Sequence, residues 1–369
     1  MKHEFQKKKY FTKQGRTLLF GFLCAPAALT GLALLCLARQ FAPASSGSAP
    51  QLTVELPLTA PAQASETDAA PAPETAPAEA ALWDQSVTLT VLVGDEEQTM
   101  TLSDYLWGVV AAEMPAAFEE EALKAQAGAA RTYTVYKMLH HTDAHAADLC
   151  TDPGCCQAWI SREDRMELWG EDRDALAEKV AQAVRETDGM AVCYDGAPIQ
   201  AVFHAASAGS TRSAAEVWGT EVPYLQSVSS PEGEEVPNYY SSVPVAAADF
   251  AAVLTTAVPA ADLSGPVETW IGETAYDASG LSESVEIGGV SVSTATLRSL
   301  FSLRSSSMTI EAAEDTVTFY VTGYGHGVGM SQYGAGALAK QGSSWQEILC
   351  WYYSGATVEN LADKALDLE

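Results

Sequence analysis

Glu113 is set apart by its neighbours. Val109, Val110, Ala111 and Ala112 precede it, and Met114 and Pro115 follow. Apolar surroundings disfavour the charged form of a carboxyl and raise its pKa. A carboxylic acid kept protonated near neutral pH can serve as a general acid. The competing reading is a solvated glutamate in a last helical turn. Three further stretches hold chemistry-bearing side chains. Gly323–Gly334 (GYGHGVGMSQYG) packs five glycines into twelve residues, so its backbone can approach a ligand or take positive φ. Its His326, Ser331, Gln332 and Tyr333 are suited to reading sugar hydroxyls and N-acetyl groups. It lacks the G-K-[ST] ending of a phosphate loop. Phe203–Gly219 (FHAASAGSTRSAAEVWG) places Ser207 in a loose copy of a nucleophile elbow, with Ala where the first Gly belongs. A serine hydrolase would then need a later acid and histidine, and His326 is the sole histidine downstream. Finally, His145, Cys150, Cys155 and Cys156 lie at short spacings that suit a tetrahedral zinc site. A Cys150–Cys156 or Cys150–Cys155 disulfide is the alternative outside the cytoplasm, and His140 and His141 are alternative nitrogen donors.

These residues need elements to position them. Val87–Val93 and Thr99–Leu102 read as a hairpin around Gly94-Asp95. Ser103 can cap a helix to about Glu113, stopped by Pro115 because the residue before proline avoids helical angles. A second helix runs from near Glu119, where three acids suit the N-terminal dipole, to about His140. Its Ala127–Ala130 stretch has little bulk and lets another element come close. On that helix Arg131 reads, from the residues alone, as a surface partner for Glu119–Glu121. A third helix fits Asp174–Asp188. Strands then dominate: Met190–Tyr194, Pro198–His204, Ser284–Ile287, Val290–Val292 and Asp315–Val321. A last helical stretch follows the glycine loop, Ala335–Ala339 and on through Trp345–Tyr353. The fold class is α+β, helices first and then a mostly antiparallel β core.

Composition limits the partners. The 369 residues carry 20 basic and 48 acidic side chains, net −28, which argues against a nucleic-acid binder held by phosphate neutralisation. The charge is uneven. Residues 1–16 form a basic tail, whereas 17–38 contain no charged side chain. At about 1.5 Å rise per residue that run is long enough for a hydrocarbon core of about 30 Å. Basic residues on its N-terminal side predict a single-pass cell-membrane anchor with the N-terminus cytoplasmic and the remainder outside. A cleaved signal peptide is the alternative, but the run is longer than a usual signal core and Ala42-Pro43-Ala44 is a poor cleavage site. Residues 39–83, rich in Pro and Ala, cannot bury enough apolar surface to order themselves and predict an extended tether. The folded domain is then 84–369, as one large unit or a core with an inserted lobe.

The segments GVVAAEMPAAFEEEALKAQAGAARTY (Gly108–Tyr133), CTDPGCCQAW (Cys150–Trp159), FHAASAGSTRSAAEVWG, PYL (Pro223–Leu225), LRS (Leu303–Ser305) and GYGHGVGMSQYGA (Gly323–Ala335) occur in this order. In them the chain resembles the stage II sporulation protein D family of cell-wall enzymes, which shares its core with amidase enhancers. The resemblance implies a lytic transglycosylase acting on peptidoglycan glycan strands stripped of stem peptides, in engulfment during sporulation. It puts the acid on Glu113 and the nearby arginine on Arg131. Glycan contacts fall to His204 and Ser207 in the Phe203 segment and to His326, Ser331, Gln332 and Tyr333 in the glycine loop. A structural zinc is implied at Cys150 and Cys156, with His145 displaced by one residue from the family spacing. Cys155 stands where the family has a histidine, as a further ligand. A membrane-bound amidase is the implied partner. A non-catalytic amidase enhancer and a tethered glycan-binding module are the other classes.

Overall fold

The computed structural model describes residues 82–140, 146–366 and 368. The anticipated tail, anchor and nearly all of the tether lie outside them, as does His145. Among the described residues no helix is long and apolar enough to cross a membrane.

The chain opens with a turn, α1 (Trp83–Ser86), and a hairpin, β1 (Thr88–Val93) and β2 (Glu96–Thr101). Helix α2 (Leu102–Glu113) is capped by the Thr101 hydroxyl, which accepts from the Asp104 amide, rather than by Ser103. Its end is where Pro115 demands it: Met114 is already extended. Helix α3 (Glu120–His140) is the spine of the fold and is buried along most of its length. Over its small-residue stretch lie Leu349 and Trp345 of a later helix, with a Leu349 methyl 3.0 Å from where a Gly128 Cβ would sit. Next come β3 (Leu149–Cys150), parallel to β1, and helices α4 (Arg162–Trp169) and α5 (Arg173–Glu186). Helix α4 has no buried residue, so it lacks the apolar stripe that marks a helix in sequence.

Strands β4 (Met190–Tyr194), β5 (Ala197–Pro198) and β6 (Phe203–His204) are short, and α6 (Ala214–Trp218) follows with a Ser213–Glu216 capping box. The expected single strand Pro198–His204 is thus two fragments separated by an irregular bend. The chain then leaves the main core. Strand β7 (Tyr240–Ala246), α7 (Ala247–Ala257), β8 (Ile271–Tyr276), β9 (Ser282–Ile287), β10 (Val290–Ser293), α8 (Thr294–Leu300), β11 (Met308–Ala313) and β12 (Thr316–Thr322) form a lobe with its own hydrophobic core. Phe301 stacks on Phe250 at its centre, and Phe319 packs against both at a tilt. Two antiparallel sheets, β11-β12-β7 and β10-β9-β8, build it. Thr322 pairs with Tyr240, so the insertion leaves and re-enters side by side, as inserted domains do. Strand β13 (Met330–Ser331), helices α9 (Gln332–Lys340) and α10 (Trp345–Tyr352) and strand β14 (Thr357–Asn360) return to the first core. Parallel pairing of β13 with β6 aligns Met330 with Phe203 and Ser331 with His204. The two segments singled out by sequence are therefore neighbours. Most pairings are antiparallel and helices precede most strands, which is the α+β class.

Candidate active site

Helix α2 delivers Glu113 at its last turn. The Ala158 amide donates to Glu113 Oε1 at 2.9 Å, and Gln332 Nε2 donates to Oε2 at 3.1 Å. Gln332 is the first residue of α9, so helix, thiol loop and glycine loop meet on one carboxyl. Burial pushes the Glu113 pKa up, and the two donated hydrogen bonds oppose it without reversing the direction. Glu113 and Gln332 form the shared wall of two cavities, of about 630 and 770 Å³. Tyr324, half exposed, also lines both. Glu113 is the sole acid in either lining, in a chain of net charge −28, whereas Arg165 and Arg304 line one cavity and Arg298 the other. The Nε of each of these arginines is buried without a hydrogen-bond partner. Arg304 also lies over the Tyr324 ring at 4.3 Å.

The glycine loop reaches this site because its alternate residues Gly323, Gly325, Gly327 and Gly329 all have positive φ. Three of them also lack room for a side chain: a Cβ on Gly323 would come within 2.6 Å of the Ala206 carbonyl oxygen. A Cβ on Gly325 would come within 2.6 Å of the His204 Cβ, and one on Gly329 would meet the Val202 carbonyl. His326 is locked by two bonds: its Nδ1 accepts from the Val328 amide at 3.1 Å and its Nε2 donates to the Phe203 carbonyl at 3.0 Å. His204 donates from Nδ1 to the Val328 carbonyl at 3.2 Å and accepts the Ser207 hydroxyl at Nε2 at 2.8 Å. Burial lowers His204 to about 3, with His326 close by adding to the shift, and burial lowers His326 to about 4. Both rings are neutral at neutral pH and line the larger cavity as rigid polar walls.

Other sequence-predicted residues serve different purposes. Tyr333 lines the smaller cavity, its ring edge-on to Phe118 at 5.0 Å. Ser207 and Ser331 do not line either cavity. Ser207 is buried, its amide donating to Glu232 at 2.6 Å and its hydroxyl committed to His204. His204 points its other nitrogen at a carbonyl rather than a carboxylate, so no serine triad exists here. Ser331 caps α9 and donates to Glu232 at 2.5 Å. Ser230 donates to the other Glu232 oxygen. That buried carboxylate, which sequence reasoning missed, ties the two motif segments together. Its type and position carry no local signal, because two of its three partners, Ser207 and Ser331, lie 25 and 99 residues away in the chain.

Arg131 is corrected outright. It is fully buried on α3, and Nε and Nη2 grip both oxygens of Asp84 at 2.8 and 2.6 Å. Its remaining donors reach Thr187 Oγ1 and the carbonyls of Met190 and Val184. It lines neither cavity. Nor does it pair with Glu119–Glu121; Lys124 takes Glu121, and Glu186 as well.

Cys150, Cys155 and Cys156 gather their sulfurs within 4.8 Å of one another, and none forms a disulfide. The Cys155 and Cys156 sulfurs are 3.8 Å apart. A tetrahedron of zinc–sulfur bonds of about 2.3 Å has edges of roughly 3.8 Å, so the donor set fits that metal. Burial, with the neighbouring thiols adding to it, pushes the Cys156 thiol up. A bound cation reverses that preference. The loop sits two residues before Ala158, the donor to Glu113. Beyond it Trp159 packs where a Gly108 Cβ would sit, leaving glycine as the residue that fits on that face of α2.

The family model described as stage II sporulation protein matches residues 95–194, which span α2, the thiol loop and β4. Stage II sporulation protein D of Bacillus subtilis (strain 168) is 34% identical over 263 residues, covering 71% of this chain and 75% of the relative. This chain belongs to the stage II sporulation protein D family. The counterpart from Bacillus amyloliquefaciens gives the same identity and coverage. The amidase enhancer of Bacillus subtilis is 28% identical over 302 residues, 69% of this chain but 40% of that longer protein. Family membership makes this a sporulation protein, and the family model covers α2 and the thiol loop, two of the three segments that converge on Glu113.

Proposed function

We propose that the chain is a peptidoglycan lytic transglycosylase of sporulation, with Glu113 as its single acid–base residue. The observation that carries the reading is a buried, protonation-prone carboxyl as the sole acid between two sugar-sized cavities. In the first step Glu113 gives its proton to the glycosidic oxygen leaving C1 of N-acetylmuramic acid, and the C1–oxygen bond breaks. In the second, the Glu113 carboxylate takes the proton of that sugar's C6 hydroxyl, whose oxygen bonds to C1 and closes an anhydro ring. No water is consumed, and the glutamic acid is regenerated. Hydrolysis by the usual route uses two carboxyls, and neither cavity supplies a second.

The cleft also favours strands without stem peptides. Removing the peptide leaves a lactyl carboxylate on each muramic acid, and Arg165, Arg298 and Arg304 hold guanidinium donors there with unmet Nε groups. Tyr324 and Trp218 offer exposed rings for sugar faces. Cys150, Cys155 and Cys156, with His145 as a fourth donor, would hold a structural zinc that keeps the Ala158 amide in place. Residues 17–38 anchor the protein in the cell membrane, with 39–83 as a tether to a catalytic domain outside. The amidase-enhancer relative supports a cell-wall setting and a membrane-bound amidase partner. Mass spectrometry of denuded strands treated with the protein tests the reading. Anhydro-muramic ends support it. Stimulation of an amidase with no such ends would replace it by the enhancer function.

A further inference from the structure

Among the described residues the exposed large aromatics are Trp218, Tyr240, Tyr276, Tyr320, Tyr324 and Trp351. Trp218 and Tyr324 belong to the cavities beside Glu113. Tyr240, Tyr276 and Tyr320 converge instead on a separate groove of about 700 Å³ in the inserted lobe. Its floor is the outer face of the β11-β12-β7 sheet. Register puts Thr309, Tyr320 and Ser242 in one row and Thr322 and Tyr240 in the next. The wall is the β8–β9 turn, with Tyr276 and Leu281. No charged side chain lines it, and the nearby Glu311 accepts the Tyr320 hydroxyl at 3.2 Å.

We propose that this groove is a second binding site for the glycan strand, holding neutral N-acetylated sugars away from the point of cleavage. Tyrosine rings offer apolar faces for the C–H side of a pyranose, and the hydroxyls of Tyr240, Tyr276, Ser242, Thr309 and Thr322 pair with its polar edge. The lack of charge excludes a phosphate polymer and gives no purchase to the acids of a stem peptide. Exposed rings of this size, three on one face, are otherwise a solubility liability. The groove is continuous in sequence with the cleft: Ala206, Asn238 and Tyr324 line the cleft, whereas Ala208, Tyr239 and Thr322 line the groove. A polymer bound at Glu113 extends beyond a cavity sized for a few sugars, so a site on the next segment adds effective concentration. The identity of the occupant rests on the glycan reading above; the site itself does not depend on catalysis.

The experiment uses the full chain in detergent carrying Glu113→Gln, which binds without turnover, with and without Tyr240→Ala, Tyr276→Ala and Tyr320→Ala together. These side chains are exposed, so folding is checked by melting temperature. A second arm carries Tyr240→Phe, Tyr276→Phe and Tyr320→Phe. The alanine triple should weaken binding to long denuded strands about tenfold, equivalent to about 1.4 kcal/mol, and the phenylalanine triple by less because the rings remain. Affinity for a four-sugar fragment, which fills the cleft alone, is the reference. Equal losses on long strands and fragment, or no loss on either, would overturn the proposal. So would protection of the three tyrosines by isolated stem peptide in place of glycan. If the wild type releases no anhydro-muramic ends yet the alanine triple loses long-strand binding, the groove stands and the catalytic reading falls.

Discussion

At the scale of single residues, Glu113 should titrate visibly. Its folded pKa is raised by burial, so between the unfolded and folded values the native state holds more protons and stability falls as pH rises. Glu113→Gln has no such loss. Its melting temperature should equal or exceed the wild type at pH 8, with the gap closing as pH drops below the ordinary glutamate range. A gap that widens on acidification would contradict the buried acid. Activity should fall on the alkaline side for the same reason, since the first step needs the proton. The arginines give a second test. Arg298→Ala with Arg304→Ala should weaken binding of denuded strands about tenfold, as loss of hydrogen bonds to charged groups does, and wild-type binding should weaken with salt. Salt-independent binding, unchanged in the variant, would contradict carboxylate recognition. Glu113 was legible from its apolar company. The arginines were not assigned to the site: Arg165 comes from a helix with no buried face, Arg298 from the inserted lobe, and Arg304, though inside the LRS marker, carried no sign of where it would point. Their meeting point exists only after folding.

At the scale of elements, Arg131 shows where sequence reading fails. A lone arginine on a helix looks the same whether it serves a substrate or a buried aspartate, and its partner Asp84 lies outside every motif. The pair ties α1 and the end of α5 to α3. Arg131→Ala leaves Asp84 buried and unpaired, and should cost about 3–5 kcal/mol in denaturant unfolding. Arg131→Lys should rescue little, because a lysine cannot supply the two-pronged grip. A stable Arg131→Ala protein that had lost turnover alone would restore the catalytic reading. The thiol loop has its own measure. The purified protein should carry about one zinc per chain, and Cys150→Ser should lose the metal and lower the melting temperature. A metal-free wild type with equal stability would remove the zinc. Helix starts and stops read well where proline, acids or small residues marked them, as at Pro115 and at the Gly128 contact. The caps were less legible: the Thr101 and Ser103 hydroxyls are equally good acceptors for a helix N-terminal amide, and with Thr101 as the cap the first helical residue is the buried Leu102.

At the scale of the whole molecule, the antiparallel character was legible, but the inserted lobe's layout was not. Its strands β7 (YSSVPVA), β8 (IGETAY) and β11 (MTIEAA) carry serine, glycine, proline, threonine and alanine that dilute the apolar side of the alternation, so they do not stand out in sequence. Helix α7 was missed too, since its alanines and threonines give a diluted apolar pattern. What the lobe contributes is cationic side chains to an acidic protein's cleft, and a face of tyrosines beyond it. Both follow from the insertion and not from the helices that carry the acid. The account stands on one residue acting twice, so the decisive measurement is the product spectrum of denuded strands with wild type and Glu113→Gln. The wild type should release fragments ending in anhydro-muramic acid. The folded Glu113→Gln protein should bind the same strands and release fewer by at least about 10²-fold, the lower bound for general acid–base catalysis. Equal release by both proteins would contradict the central claim.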